Sequence, residues 1–234
     1  MREKSISIIV PVFNERAALP QLLDQLAPLA QDAEVIVVDG GSTDGTPELL
    51  PPEVRLVRAK KGRGVQLNAG AEASTGEVLL FLHADCLLPP DALCEIQRVM
   101  RTHRVGAFGI RFDTPSLLMR CCAVLSNFRC YVRRIPFGDQ GVFLERELFF
   151  EMGMFAPIPV MEDFRFALDL RSRGLAPGKT SQRLVTSARR FGISPIDQLR
   201  TMHMMARFRK RFLRGEDAGA LAREYADIRS ASTR

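Results

Sequence analysis

Short runs of Ile, Val and Leu recur through the first half of this chain, at residues 5–12, 33–38, 54–58 and 78–82, and polar or glycine-containing stops follow them. The first reads Ser-Ile-Ser-Ile-Ile-Val-Pro-Val. Apolar side chains at consecutive positions mean a strand that buries both of its faces. Between the runs lie segments of helical pattern. Leu19, Leu22, Leu23 and Leu26 fall at helical spacing within 17–30, and residues 64–74 and 90–102 read as two further helices. Doubly buried strands that alternate with helices restrict the chain to a mainly parallel sheet flanked by helices, an α/β fold.

Ligands of such sheets bind beyond the carboxyl ends of the strands. Three strands here run into polar residues at that edge: Asn14-Glu15, the stretch 39–44, and His83-Ala84-Asp85. Their convergence is the main indication of a functional site. The second half is less regular. Strands are expected at 105–112, 142–144 and 184–186, and helices at 115–131, 164–173, 195–214 and 216–230.

With 234 residues, 46% of them hydrophobic, the chain can bury a substantial core as one large domain or as a domain with an appendage. No repeat or low-complexity segment interrupts it. The five cysteines, Cys86, Cys94, Cys121, Cys122 and Cys130, form no CxxC pair. They read as buried reduced thiols, which suits a cytoplasmic protein. No apolar run approaches the ~20 residues of a membrane span, and the apolar stretch 6–13 lacks a signal-peptide pattern. The net charge of +6 suits phosphates, anionic lipid or nucleic acid without choosing among them.

Several side chains could carry chemistry, and each has a plainer reading beside the functional one. Asp85 follows a strand directly, where a carboxylate can join a hard cation to a diphosphate; otherwise it is a turn aspartate. His83 either meets a phosphate or orients Asp85, or is a hydrogen-bonded structural histidine. Asp39 can accept from a base or ribose, and its glycines admit a ligand; alternatively the loop is flexible and Asp44 or Thr46 caps the next helix. Lys60, Lys61, Arg63, Gln66 and Asn68 cluster near a helix start, either to hold a diphosphate or as a solvated basic loop. Glu162-Asp163 precedes a helix and is either a general base or a stabiliser of the helix N-terminus. Arg189-Arg190 either pairs with diphosphate oxygens or lies on the surface. The helix 195–214 is amphipathic and basic. It lies either on an anionic membrane or, with its apolar stripe inward, on the core.

Taken together, the stretches Ile8-Ile9-Val10-Pro11-Val12-Phe13-Asn14-Glu15, Val37-Val38-Asp39-Gly40-Gly41-Ser42-Thr43-Asp44-Gly45-Thr46, the segment 76–85 and Glu162-Asp163 resemble the family 2 glycosyltransferases of GT-A fold. Within that family the chain looks most like a small bacterial subgroup. The motifs shared with it are His83-Ala84-Asp85, Phe137-Gly138-Asp139-Gln140, Pro159-Val160-Met161-Glu162-Asp163 and Ser187-Ala188-Arg189-Arg190. The resemblance covers about residues 5–192. It implies a GT-A domain over 1–192, with a donor half to about 112 and an acceptor half over 113–192, followed by C-terminal amphipathic basic helices over 193–234.

The resemblance further implies an inverting, metal-dependent transfer of a sugar from a nucleotide-diphosphate sugar to an acceptor hydroxyl. Pro11, Phe13, Glu15 and Asp39 would line the nucleotide pocket. Asp85 would hold Mn²⁺ or Mg²⁺ with the donor diphosphate. Asp163 would be the base, with Glu162 beside it. Arg63, Gln66, Asn68, His83, Ala84, Asp139, Gln140, Arg189 and Arg190 complete the expected donor site. His83 is a departure, because it stands where many relatives have an acid. The acceptor is not identified, and peripheral contact with the inner face of a membrane is expected through 195–214.

Two rivals stand beside this reading. A sugar-1-phosphate nucleotidyltransferase would carry a glycine-rich loop after the first strand, where this chain has Pro11 to Glu15. A non-catalytic basic protein that binds membrane or nucleic acid would leave the acidic strand ends unexplained.

Overall fold

The structure is a computed structural model that describes residues 2–231, with side chains described through residue 225. One sheet of eight strands runs through it. In chain order the strands are β1 (Ile6–Val12), β2 (Glu34–Asp39), β3 (Arg55–Arg58), β4 (Val78–Phe81), β5 (Cys86–Leu87), β6 (Val105–Phe112), β7 (Phe143–Glu145) and β8 (Gly178–Thr186). They lie side by side in the order β3-β2-β1-β4-β7-β6-β8-β5. The first four are parallel to one another. β7 is antiparallel to both β4 and β6, and β8 runs parallel to β6. The sheet therefore continues unbroken past residue 112.

The helices are α1 (Leu19–Leu26), α2 (Arg63–Ala73), α3 (Ala92–Met100), α4 (Leu117–Tyr131), α5 (Arg146–Glu151), α6 (Glu162–Ser172), α7 (Pro195–Leu213) and α8 (Ala218–Ala231). Alternate strand residues feed two apolar layers. Ile8, Val10, Val37 and Leu80 pack with Leu19, Leu22, Ile96 and Met119 on one face. Ile9, Val38, Leu79 and Phe81 pack with Leu67, Phe149, Phe155 and Phe166 on the other. A smaller cluster, with Met161, Phe164, Phe208 and Leu221 at its centre, joins the C-terminal helices to α6.

Pro11 is tolerated in a central strand because β1 pairs with β4 only through Ile6 to Ile9. Asn68 on α2 both donates to the carbonyl of Phe155 (2.9 Å) and accepts from its N–H (3.0 Å), which fixes the loop before α6.

Several expectations need correction. Pro28 cuts the helix expected over 17–30, so α1 ends at Leu26 and a 3₁₀ turn follows. The strand expected at 184–186 is the end of the longer β8, whose alternation with exposed polar residues hid it. β5 and α5 are additional elements, too short for periodicity to show. Glu162 and Asp163 form the first turn of α6 rather than precede it. The five thiols are free, but only Cys86 and Cys130 are buried; Cys94 and Cys121 are exposed because their helix faces turn outward. On α7 the apolar stripe divides. Met204, Phe208 and Phe212 join the core, whereas Leu199 stays exposed. Of the expected C-terminal segment, 232–234 lie outside the described residues. No helix among the described residues is long and apolar enough to cross a membrane.

Glu95 on α3 ties that helix to β8. It accepts from Arg98 (2.9 Å) and from the Ser181 hydroxyl (2.6 Å). The Arg98 bond, with the two from Ser181, holds its pKa down at about 2 against the opposing effect of burial. A carboxyl depressed on folding stabilises the protein above its unfolded pKa, and that contribution disappears as pH falls through the folded value. Glu95→Gln should therefore lower stability in urea melts at neutral pH. The gap to wild type should narrow steadily from about pH 4.5 toward pH 2. A gap that does not change with pH would contradict the assignment.

Candidate functional site

At the carboxyl edge of the parallel strands, the loop after β1 and the loop after β2 are stitched together. Asn14 donates its N–H to the Ser42 hydroxyl, Glu15 to the Thr46 hydroxyl and Arg16 to the Asp44 carboxylate. The Asn14 side chain accepts from Thr43 in return (2.8 Å), and Asn14 adopts φ 53°, a left-handed conformation that asparagine tolerates. Asp44 and Thr46 thus position Glu15, which neither capping nor loop flexibility had suggested. Asp39 is buried and accepts from the backbone N–H groups of Gly41 and Ser42, closing the turn. Gln66 donates to the carbonyls of Val12 (2.8 Å) and Val38 (2.9 Å), so its amide braces the ends of β1 and β2. Gln66 and Asn68 both spend their side chains on backbone. Phe13, beside this edge, carries the Lys61 ammonium 3.8 Å from its ring centre.

β4 delivers His83, Ala84 and Asp85 to the same edge. Arg189, in the 3₁₀ turn Arg189–Phe191 after β8, lies between two acids. Its guanidinium is 3.2 Å from Glu15 and 3.3 Å from Asp85. Residues far apart in the chain, from β1, β4 and β8, therefore meet here. His83 is buried, and its Nε2 has no hydrogen-bond partner among the described protein atoms. Burial first, then the charges of Arg63 and Arg190, lower its pKa to about 3, so the imidazole is neutral at pH 7.

The acids of α6 adjoin this group. Asp163 accepts from the N–H of Gly138 (2.9 Å) and from its neighbour Phe164 (2.7 Å), and Arg63 stands 3.7 Å away. Burial alone would raise its pKa, but Arg63 and the backbone donors outweigh burial and keep the carboxylate ionised. Glu162 points inward and pairs with Arg63 Nε. Its burial is nearly complete and raises its pKa, and its second oxygen has no partner. Met161, at φ 67°, turns the chain into this acid pair in a conformation methionine rarely adopts. Gly138 has no room for a side chain: a Cβ there would lie 2.6 Å from His83 Nε2 and 3.2 Å from Asp163. That near-contact places His83 and Asp163 at one point.

Asp139 and Gln140 sit behind this point. Burial raises the Asp139 pKa, opposed by Arg129. Gln140 is fully buried and accepts from Phe137 (3.1 Å) and Arg129 (3.2 Å). Arg129 reaches in from α4 and also covers the Phe137 ring at 3.6 Å. Sequence reading missed Arg129, because an arginine amid apolar helix residues gives no sign that it faces inward. His83, Asp85, Asp163, Asp139, Glu162, Arg63, Arg189 and Arg190 thus form one neighbourhood, with Glu15 joined through Arg189. Asp39, Gln66 and Asn68 support it from the side.

Residues 7–158, more than half of the chain, match the family described as Glycosyl transferase family 2. The undecaprenyl-phosphate 4-deoxy-4-formamido-L-arabinose transferase of Aeromonas hydrophila is 36% identical over 117 residues, which cover 44% of this chain and 35% of that protein. An uncharacterized glycosyltransferase of Nostoc is 34% identical over 109 residues, 43% of this chain and 34% of that one. The chain thus spans about a third of the length of these curated relatives. Among solved structures, a mannosyltransferase from Pyrobaculum calidifontis in complex with GDP-Man and Mn²⁺ superposes with a TM-score of 0.66 at 22% identity, over 93% of this chain and 66% of that one. A glucosyl-3-phosphoglycerate synthase from Mycobacterium tuberculosis, in complex with Mn²⁺, UDP and its glucosyl product, gives 0.57 at 19% identity, over 84% and 75%. At such identities the structural likeness is one of fold. The family match and this shared architecture lead to one conclusion: the chain belongs to glycosyl transferase family 2 and has its GT-A fold.

Proposed function

We propose that this chain transfers a sugar from a nucleotide-diphosphate donor to an acceptor hydroxyl, with inversion at the anomeric carbon. Asp163 is the base and Asp85 the ligand to a divalent cation. The observation that carries the reading is the convergence of Asp85 and Asp163 on His83 at the carboxyl edge of the sheet. The solved neighbours carry GDP-Man, UDP-GlcNAc and UDP with a glucosyl product, which supports a donor of the same class.

His83, Asp85 and Cys86 place one potential ligand atom each within 4.8 Å of one another. Burial raises the Cys86 thiol pKa far above neutrality, so it stays protonated, and its sulfur lies 3.5 Å from the Thr186 hydroxyl. That leaves the Asp85 carboxylate and the neutral His83 imidazole. A hard cation with so few protein ligands completes its shell from water and substrate phosphates, so this donor set fits Mn²⁺ or Mg²⁺ beside a diphosphate. A cation bound there would stabilise negative charge on the departing diphosphate.

The chain's own residues account for the rest. The acceptor hydroxyl gives its proton to Asp163 while its oxygen attacks the anomeric carbon from the face opposite the diphosphate. The bond to the diphosphate breaks, and its electron pair leaves with the phosphate oxygen. Two backbone N–H groups and Arg63 fix Asp163 in orientation, and Glu162 holds Arg63 in turn. Arg189 and Arg190 bring positive charge to the same edge, where guanidinium groups pair with diphosphate oxygens.

Asp163→Asn should lower kcat by ~10²–10⁴-fold while the calorimetric affinity for the donor stays unchanged. Retained turnover eliminates Asp163 as base. Asp85→Asn should weaken donor binding in the presence of Mn²⁺ by about tenfold or more, and leave binding in a chelator as it was. An unchanged Mn²⁺-dependent affinity removes Asp85 from the cation site. A thermal-shift screen of nucleoside diphosphates and their sugars, with and without Mn²⁺, identifies the base by its selective stabilisation.

A further inference from the structure

We infer that α4 is a membrane-docking helix whose outward face lies on an anionic lipid surface. Leu117, Val124, Leu125, Phe128 and Val132 are all exposed, from 50% for Phe128 to 72% for Leu117. Their spacing puts them on a single side of the helix, with exposed Cys121 between the first two. Nothing in the fold of the described residues covers this row. The opposite side of α4 packs on the core through Met119 and Ala123.

The apolar surface continues past the helix. Ser116, the N-cap of α4, donates to Gln198 in the first turns of α7 (2.8 Å). That bond brings exposed Ile196 and Leu199 to the Leu117 end, next to Ile193, which is 100% exposed. A contiguous apolar surface of this kind marks a site of association rather than scattered exposure.

Charge identifies the occupant. From residue 114 to 138 the chain has four arginines and no acid. Arg129 turns inward, while Arg120, Arg133 and Arg134 are exposed. Beside α4, Arg111, Arg120 and Arg183 surround a hollow of about 330 Å³ floored by Phe112 and Ala123. Asp113, the acid next to it, already accepts the N–H of Ala188 (2.7 Å). An apolar row bordered by arginines that have no acidic partner among the described residues matches a bilayer interface, where leucine and phenylalanine enter the acyl boundary and guanidinium groups meet phosphate headgroups. A second copy of the chain matches poorly. Pairing the α4 row with itself would set arginines against arginines, and the one carboxylate at its α7 end, Asp197, already lies 3.7 Å from Arg200. The surface is distinct from the basic side of α7, whose Phe208 and Phe212 pack inward.

The test is flotation of the full chain with vesicles of phosphatidylcholine alone and of phosphatidylcholine mixed with phosphatidylglycerol. Wild type should bind the mixed vesicles, less at high salt, and the neutral ones weakly. Leu125→Glu combined with Phe128→Glu should weaken binding by about tenfold or more. Arg120→Glu combined with Arg133→Glu should also weaken it and flatten its salt dependence. Circular dichroism and melting temperature should match wild type in both, since all four side chains are exposed. Charge reversal at Arg207 and Lys210 on α7 should leave binding unchanged. The inference is overturned by a wild type that ignores anionic vesicles. It is overturned equally by binding that survives the α4 variants, or by a dimer in sedimentation velocity that the Leu125 and Phe128 changes disperse without any vesicle binding.

Discussion

The Arg63 guanidinium is the charge on which the rest of the site depends. It belongs to the first turn of α2, and both its acidic partners belong to the first turn of α6. Burial penalises the cation and the acids alike, and each tolerates burial only because the other is present. Removing Arg63 would leave Glu162 buried and unpaired, and Asp163 without the charge that keeps it ionised. Gly64 lets the helices come this close. A Cβ there would lie 3.0 Å from the carbonyl oxygen of Ala156 and 3.2 Å from the Glu162 side chain. The ion pair and the missing side chain together clamp α2 to α6.

A second device, made of side-chain acceptors rather than an ion pair, orders the other side of the edge. Ser42, Asp44 and Thr46 accept the three successive N–H groups of residues 14–16. These donors follow the end of β1, and in the absence of a helix they have no partner in secondary structure. Supplying acceptors from the loop after β2 satisfies them and fixes Glu15 where Arg189 can reach it. Small hydroxyl and acidic residues suit the task because they combine a tight turn with a side-chain acceptor. The Asp39 turn serves the same end by holding the start of that loop.

This division explains what could be read from the sequence. The strands β1, β2 and β4 were legible because burial on both faces writes itself as an unbroken apolar run. The polar groups beyond them followed from fold geometry alone. The long β8 was not legible beyond its last residues, since Lys179, Ser181 and Arg183 alternate outward and resemble loop. Within the candidate site, residue type singled out Asp85 and Asp163 but not the direction of a side chain. Gln66 and Asn68 looked like ligand donors and instead hold backbone, because an amide serves either purpose. Arg129 drew no notice in the sequence and faces Gln140. Side-chain direction comes from tertiary packing, which local pattern does not encode. The exposed face of α4 was hidden for the same reason: an apolar helix reads as core until the sheet is seen to take only one side of it.

His83 shows how these charges balance. Two arginines, Arg63 and Arg190, and two acids, Asp85 and Asp163, act on it. A carboxylate in its place would add a further acid beside Asp85 and Asp163, at the edge proposed to receive a diphosphate, and like charges at that range repel strongly when partly buried. A neutral imidazole adds no such charge. It also supplies a lone pair or an N–H without adding charge, according to its tautomer. Burial enforces that neutrality, so the histidine does not add another cation beside Asp163. With one carboxylate fewer, any cation at Asp85 depends more heavily on phosphate oxygens for its ligands. On the proposed reading, donor and cation would then bind as a unit, each completing the site of the other.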